Sequence, residues 1–403
     1  EAHSNLGIIL NDLGKLQDAE KSTRKAIQLN HDFAEAHSNL GSILIDLGNL
    51  QEAELSLNKA IEINPNLTSV YYTLSKFKKS KNTKDYTNQI FSKTILNNKT
   101  AADKVNIYFA RANIFHNEKN YGKSTEYLQL ANNLKINLKG SNSDILINKS
   151  QILLLESGKE VIIQKKDKRT PESIFIVGMP RSGSTLVESI LSVNTKINDL
   201  GEINILEELF LKRKRNEEEL PLAILYWNKV RNYKSDSKIT TNKWLYNYQY
   251  AGIIAQHIPS AKIIHCSRNP LDNLLSIYRT HFATGNEYSS SLVDCAKVYL
   301  DQERIMTEYK NRFKSKIYDL NYDSLVSNPN KEIKSLIYWL DWKWDDSYLS
   351  PHLNPRSVST ASNIQVRSPI NSKSIGGWKN YRELLIPAIE ILTKTDKYRN
   401  LVS

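Results

Sequence analysis

The residues best suited to chemistry lie in one run, FIVGMPRSGSTLVES, residues 175–189. Apolar residues lead into Gly178, Pro180, Arg181, Ser182, Gly183, Ser184 and Thr185, and a helix-like pattern follows. Backbone N–H groups of Ser182 to Thr185 at the start of a helix form an anion site. The first amides of a helix lack intrahelical partners, and the macrodipole adds positive charge there. Gly178 and Gly183 allow close backbone approach, and Arg181 adds a bidentate donor fork. The pattern G-x-x-x-x-G-S-T is that of a nucleotide phosphate loop, with two omissions. Ser184 stands where an ATPase carries its lysine, and the run KIIHC (262–266) ends in Ser267 and Arg268, with no aspartate to hold magnesium. A loop without a Mg²⁺ ligand suits a transferred group of lower charge. A sulfuryl group carries one formal negative charge where a terminal phosphoryl carries two. The expected ligand is the 5′-phosphosulfate of PAPS (3′-phosphoadenosine 5′-phosphosulfate), with no metal.

The elements around the loop read as an α/β unit. SIFIVG (173–178), SAKIIHCS (260–267), KIYDLNY (316–322) and KITTNK (238–243) are strand-like runs. Helical patterns follow at 184–192, from Leu271, and from about Ser324 to Leu340. The helix at 184–192 opens with hydroxyl residues suited to capping. Alternation of this kind predicts a parallel sheet with right-handed crossovers, whose ligands bind at the carboxyl ends of the strands.

The first third has a different period. Residues 1–7 read EAHSNLG and residues 35–41 read EAHSNLG again, a period of 34 (35 minus 1) that Leu10/Leu44, Ala19/Ala53 and Ala26/Ala60 maintain. This resembles the tetratricopeptide repeat, whose unit is two antiparallel helices. Gly41, Ala53 and Ala60 are the small residues that let those helices approach. Pro65 ends the second unit, a weaker third starts near Ser69, and a fourth runs through residues 108–133 at an offset of 71 from the second. Residues 143–159 read as a closing helix capped by Ser143, and 164–173 as a polar linker. Such units stack into a superhelix whose concave face usually binds peptide; the alternative is a scaffold for the next domain. The expected organisation is an α-solenoid over 1–165 and a phosphate-loop-like parallel-sheet domain over 166–403.

In the second half, PRSGSTL (180–186) resembles the 5′-phosphosulfate loop of sulfotransferases, and CSRNPLDNLLSIY (266–278) resembles their 3′-phosphate motif. TASNIQVRSPINSKSIGGWKNY (360–381) is similar to the C-terminal segment of bacterial repeat-containing sulfotransferases, relatives of tyrosylprotein sulfotransferase. The resemblance implies a PAPS-dependent enzyme moving a sulfuryl group to a hydroxyl. It implies donor contacts from Arg181, Ser182, Gly183, Ser184 and Thr185. Arg268 and Ser276, eight residues apart, would clamp the 3′-phosphate. Tyr322, Arg367, Gly376 and Gly377 complete the expected donor site, and Trp378 is assigned to packing. Glu202 lies 21 residues after Arg181, as the catalytic glutamate does in the tyrosylprotein enzymes, and is the expected general base. Lys243, in TTNKW, matches a lysine that contacts the bridging oxygen of the leaving phosphate. Trp244 follows it where those enzymes tend to have Asp-Pro, so their acceptor pocket does not carry over. A histidine base, as in cytosolic sulfotransferases, would have to be His257, His265 or His281.

Composition bounds the rest. The chain has 403 residues, is 40% hydrophobic and 24% charged, and carries a net charge of +12, which suits an anionic ligand or partner. Its apolar runs fall far short of the roughly 20 residues a membrane span needs. Cys266 and Cys295 make neither a disulfide framework nor a zinc motif. No motif for nucleic acid accompanies the charge. The chain opens at Glu1 inside a repeat and reads as a fragment of a cytoplasmic protein. The expected acceptor is a hydroxyl, that of a peptide tyrosine, a glycan or a small alcohol, and a repeat groove favours peptide among them. Two rival readings are an interaction protein with an inactive nucleotide domain, and a nucleotide kinase.

Overall fold

The computed structural model describes residues 1–77, 86–158, 171–233, 239–282 and 285–402. The repeats fold as paired helices: α1 (Ala2–Asp12) with α2 (Leu16–Leu29), and α3 (Ala34–Leu47) with α4 (Leu50–Ile63). The small residues act as the sequence implies. A Cβ added at Gly41 would lie 2.6 Å from Leu57 Cγ, and one at Gly7 would lie 2.2 Å from Thr23 Oγ1. Ala53 and Ala60 are completely buried beside them.

The third unit departs from the pattern. Its first helix is α5 (Thr68–Leu74), and the second is reduced to one turn, α6 (Thr87–Ile90), and a 3₁₀ turn at Lys93–Leu96. Buried Arg111 donates twice to the Ile90 carbonyl, at 3.0 and 2.8 Å, and packs over the Phe91 ring, so a side chain from the next unit satisfies the carbonyl at the end of α6. The fourth unit is α7 (Ala101–Asn117), opened by a Thr100/Asp103 capping box, and α8 (Tyr121–Lys139). The closing helix is α9 (Asp144–Glu156). Ser143 precedes it but does not cap it. Its hydroxyl donates to Asp294 Oδ1 at 3.1 Å, and the Asn142 side chain accepts from the Asp144 amide instead. The expected domain boundary and most of the linker lie outside the described residues.

The second half is built on parallel strands β1 (Glu172–Gly178), β2 (Ile197–Asp199), β3 (Ile239–Asn242), β4 (Ala261–Ser267) and β5 (Ile317–Asn321), in the order β2-β3-β1-β4-β5. The helices are α10 (Ser184–Leu191), α11 (Ile205–Lys214), α12 (Leu222–Arg231), α13 (Ala251–His257), α14 (Pro270–Tyr278), α15 (Leu292–Arg312), α16 (Tyr322–Ser327), α17 (Pro329–Trp339) and α18 (Ile386–Leu392). The single helix expected over 324–340 is two, because Pro329 forces Asn328 out of helical geometry, to φ −133 and ψ 59. Strand β2 is three residues long and gave no apolar run to read.

Alternate residues of β1 face opposite sides of the sheet. Ile174 and Ile176 pack with Val187, Ile190 and Ile333, whereas Phe175 and Val177 pack with Tyr226, Ile254 and Ile305. A third cluster joins the two halves of the chain. Leu40, Tyr72 and Phe109 of the repeats share one buried core with Leu274, Ile277 and Tyr288. The repeats are therefore packed against the sheet unit through apolar contact. Among the described residues, no helix is long and apolar enough to cross a membrane.

Candidate active site

The order in which successive strands are added reverses between β1 and β4. The connection from β1 leads toward β2 and β3, and that from β4 leads to β5. The crevice at such a switch, beyond the carboxyl ends of the strands, is where open α/β sheets bind ligands. Gly178 ends β1 there and pairs with Cys266 of β4. Its φ is 141, and a Cβ would lie 2.4 Å from the Cys266 carbonyl oxygen, so only glycine fits. The loop then turns through Arg181 at φ 66, an uncommon conformation for a residue with a side chain. Two donors from α14 and the residue before its cap hold that turn. Asn273 Nδ2 donates to the Pro180 carbonyl at 2.9 Å, and Arg268 Nη1 donates to the Arg181 carbonyl at 3.2 Å.

The helix α10 starts differently from expectation. Its N-cap is Gly183 at φ 98, with no side-chain cap. Thr185 Oγ1 turns away to pair with Thr360 Oγ1 at 3.2 Å. The hydroxyls at this helix start thus leave its leading amides without a side-chain acceptor, which suits an anion better than a capped helix would.

The side chain of Arg181 is fixed from three directions. Nε donates to Ser276 Oγ at 3.1 Å, Nη2 donates to Gln365 Oε1 at 2.7 Å, and Nη1 donates to Ser362 Oγ. Burial, reinforced by Arg268, lowers its guanidinium to about 10. Arg268 Nη2 donates to the Ser374 carbonyl at 2.8 Å, and its guanidinium lies 4.8 Å from the centre of the Tyr322 ring. Tyr322 in turn pairs through its hydroxyl with Ser374 Oγ at 2.9 Å and closes over Gly183. Arg181, Arg268, Ser276 and Tyr322 are thus brought to one place.

Beside β1, Lys243 follows the end of β3, and its amide donates to the Gly201 carbonyl at 2.8 Å. That bond brings the Gly201–Glu202 turn against the strand ends. Lys243 Nζ lies 2.5 Å from Glu202 Oε1; the lysine side chain has 0% exposure and the glutamate 41%. β3 is the neighbour of β1 in the sheet, so the pair lies at the carboxyl ends of the strands.

Two expected donor residues, Gly376 and Arg367, have partners within the protein. The Gly376 amide donates to Asp272 Oδ2 at 2.6 Å and the Trp378 amide to Oδ1 at 2.9 Å. The turn holding Gly376 and Gly377 therefore wraps a protein carboxylate. Arg367 donates to the carbonyls of Asp46 (3.0 Å), Arg356 (2.8 Å) and Asn354 (3.3 Å), and sits over Gly48 in the repeats. Its charge is used to join the C-terminal segment to the repeats. Trp378 packs against the shared core, as expected.

The histidines have structural surroundings. His265 Nδ1 lies 2.7 Å from Asp319 Oδ1 and Nε2 lies 2.6 Å from Gln302 Nε2, so the ring is a neutral bridge between β4, β5 and α15. His281 stacks on Phe109 of the repeats, at 5.1 Å between centres. His257 ends α13.

Ser362, Gln365, Thr360 and Ser374 were not singled out in the sequence. Their signal is the density of hydroxyl residues between Ser357 and Ser374, a stretch with neither helical nor strand period. Two polar atoms at the loop, Ser182 Oγ and Arg268 Nε, are buried without a hydrogen-bond partner. Buried polar groups are ordinarily satisfied, so these two, with the leading amides of α10, fit an anionic group of the donor kind. Among the described residues, no group of three or more His, Cys, Asp or Glu could hold a metal ion.

Comparison with known proteins agrees with this architecture. Residues 171–346 match the family model described as the sulfotransferase family, and residues 34–67 match the tetratricopeptide repeat. An uncharacterised protein of Aquifex aeolicus (strain VF5) is 30% identical over 312 residues, 70% of this chain and 41% of that one. Protein-tyrosine sulfotransferase of Drosophila melanogaster is 22% identical over 231 residues, 51% of this chain and 46% of that one. The chain thus spans less than half the length of these curated relatives. Among solved structures, the sulfotransferase domain of the Synechococcus PCC 7002 olefin synthase is similar at 20% identity and a TM-score of 0.42, over 57% of this chain and 97% of that one. Mouse sulfotransferase SULT7A1 complexed with PAP is similar at 18% identity and a TM-score of 0.37, over 63% and 92%. Both are remote likenesses. The chain thus contains a domain of the sulfotransferase family over residues 171–346 and a tetratricopeptide repeat over residues 34–67.

Proposed function

We propose that residues 166–403 transfer a sulfuryl group from PAPS to a hydroxyl of a peptide tyrosine or a glycan, and that the repeats over 1–165 hold the acceptor. The observation that carries this reading is the Lys243–Glu202 pair at the carboxyl ends of the strands, beside the strand that leads into the Arg181 loop. An interaction-only role gives no reason to keep an ammonium buried at a strand end, where desolvation is costly.

PAPS, when bound, supplies the sulfuryl group and a phosphate leaving group. Arg181, Ser182 Oγ and the leading amides of α10 bind the 5′ end. Arg268 and Ser276 bind the 3′-phosphate, and Tyr322 covers Gly183 against the nucleotide. Glu202, the more exposed member of its pair, accepts the proton of the acceptor hydroxyl as that oxygen bonds to sulfur. The bond from sulfur to the phosphate oxygen breaks, and Lys243 and Arg181 stabilise the charge left on that oxygen. Glu202 then returns its proton to solvent. These donors are fixed before reaction, and such preorganisation supplies most of the rate in reactions of this kind.

The binding half of the proposal is tested by calorimetry with PAP, the desulfated product, against AMP. Hydrogen bonds to a charged group contribute about 1.5–3 kcal/mol each, so Arg268 and Ser276 should give PAP an affinity at least tenfold higher. Equal affinities would remove PAPS as the donor.

A further inference from the structure

The segment that clamps Arg181 is anchored in the repeats, at one residue. Asp46 lies in the last turn of α3, is 8% exposed, and accepts four hydrogen bonds from the C-terminal segment. Its carbonyl accepts from the Val358 amide at 2.8 Å and from Arg367 Nη2 at 3.0 Å. Its carboxylate accepts from Ser359 Oγ and Asn363 Nδ2, each at 2.7 Å. Both ends and the middle of 358–367 are therefore tied to one repeat residue. The other edge of the same segment carries Thr360, Ser362 and Gln365, which meet Thr185 and Arg181 of the loop.

We infer that Asp46 is a positioning residue for the donor loop: the second repeat, through Asp46 and the segment 358–367, sets the orientation of Arg181. The sheet unit supplies the Arg181 backbone, but two of the three groups that fix its guanidinium come from a segment held by the repeats. The repeats are then part of the apparatus that orients the donor, besides any role in holding an acceptor. The same arrangement explains why Arg367 faces the repeats and not the nucleotide.

The test is hydrogen–deuterium exchange on the full chain without ligand, comparing wild type, Asp46→Ala and Ile43→Val. Ile43 is a buried core residue of the same helix and touches none of these bonds. Asp46→Ala should speed exchange at least tenfold both in 358–367 and in the loop 179–183, with Ile43→Val leaving both unchanged. Asp46→Asn, which keeps one acceptor oxygen, should fall between. The double variant Ser359→Ala/Asn363→Ala removes the same two bonds from the other side and replaces Asp46→Ala if that variant does not fold. Faster exchange in 358–367 with an unchanged loop would overturn the inference, as would an equal effect of Ile43→Val. A kinetic arm rests on the donor reading above: the KM for PAPS should rise about tenfold in Asp46→Ala and not in Ile43→Val. An altered loop in a protein that binds no PAP would contradict the donor reading and leave the positioning role intact.

Discussion

Lys243 Nζ and Glu202 Oε1 lie 2.5 Å apart, and only the glutamate reaches solvent. The pair thus has an inner end, which faces the strand ends and the loop, and an outer end, open to an incoming hydroxyl. On the proposed function, that polarity suits the lysine to leaving-group stabilisation and the glutamate to proton acceptance.

Lys243→Met should separate activity from stability. Methionine keeps the length of the side chain and removes a buried charge, and replacing buried ions by apolar groups is often neutral or stabilising. Turnover should fall about a hundredfold or more, the usual cost of losing one preorganised charge donor, while the melting temperature holds or rises. Turnover near wild type would exclude the assigned role; a sharply lower melting temperature would make the lysine structural.

Gly183→Ala tests the loop geometry. A Cβ there would lie 2.3 Å from Tyr322 Cδ2, on a backbone with φ 98. Strain of this kind costs about 1–3 kcal/mol, so the melting temperature should drop. Because Tyr322 must move, PAP affinity should fall at least tenfold in calorimetry. Unchanged affinity would mean that Tyr322 does not border the donor.

Acid should destabilise the fold before the carboxylates titrate. Burial, with Lys135 and other lysines adding, lowers His281 to about 4, and burial with Arg279 lowers His116 to about 3. Burial also lowers His265 despite the opposing pull of Asp319. The unfolded chain binds protons at these rings near pH 6.5, where the folded chain does not. Stability is therefore full above about pH 6.5 and declines as pH falls through that value toward 4. Urea melts at pH 7.5 and pH 5 should show a lower midpoint at pH 5. An equal or higher midpoint would contradict the neutral state of these rings.

The loop geometry is legible in the sequence where local chemistry dictates conformation. Gly178, Arg181 and Gly183 sit in one loop whose glycine positions and helix start follow from contiguous residues. Arg268 and Ser276 share one strand end and the helix after it. The repeat helices were legible because Gly41 and Ala53 recur at a fixed period. The partners of Arg367 and of the Gly376 amide are not legible, because these residues lie in irregular backbone, where a donor's partner is set by tertiary approach. Nothing near Gly376 in sequence signals that Asp272 will arrive from α14. Asp46 could not be read at all, because its partners lie more than 300 positions away.

The central claim is tested most directly by transfer of label from PAPS carrying radioactive sulfur. Wild-type chain and Glu202→Gln would each be incubated in EDTA with a lysate of the source organism, and PAP affinity of each measured in parallel. Glutamine keeps size and hydrogen bonding but not basicity, and general base catalysis contributes typically 10²- to 10⁴-fold. Wild type should label an acceptor without added metal. Glu202→Gln should label it about 10²- to 10⁴-fold more slowly with PAP affinity unchanged. A wild-type chain that transfers no label, or a Glu202→Gln chain within threefold of wild type, would contradict the account.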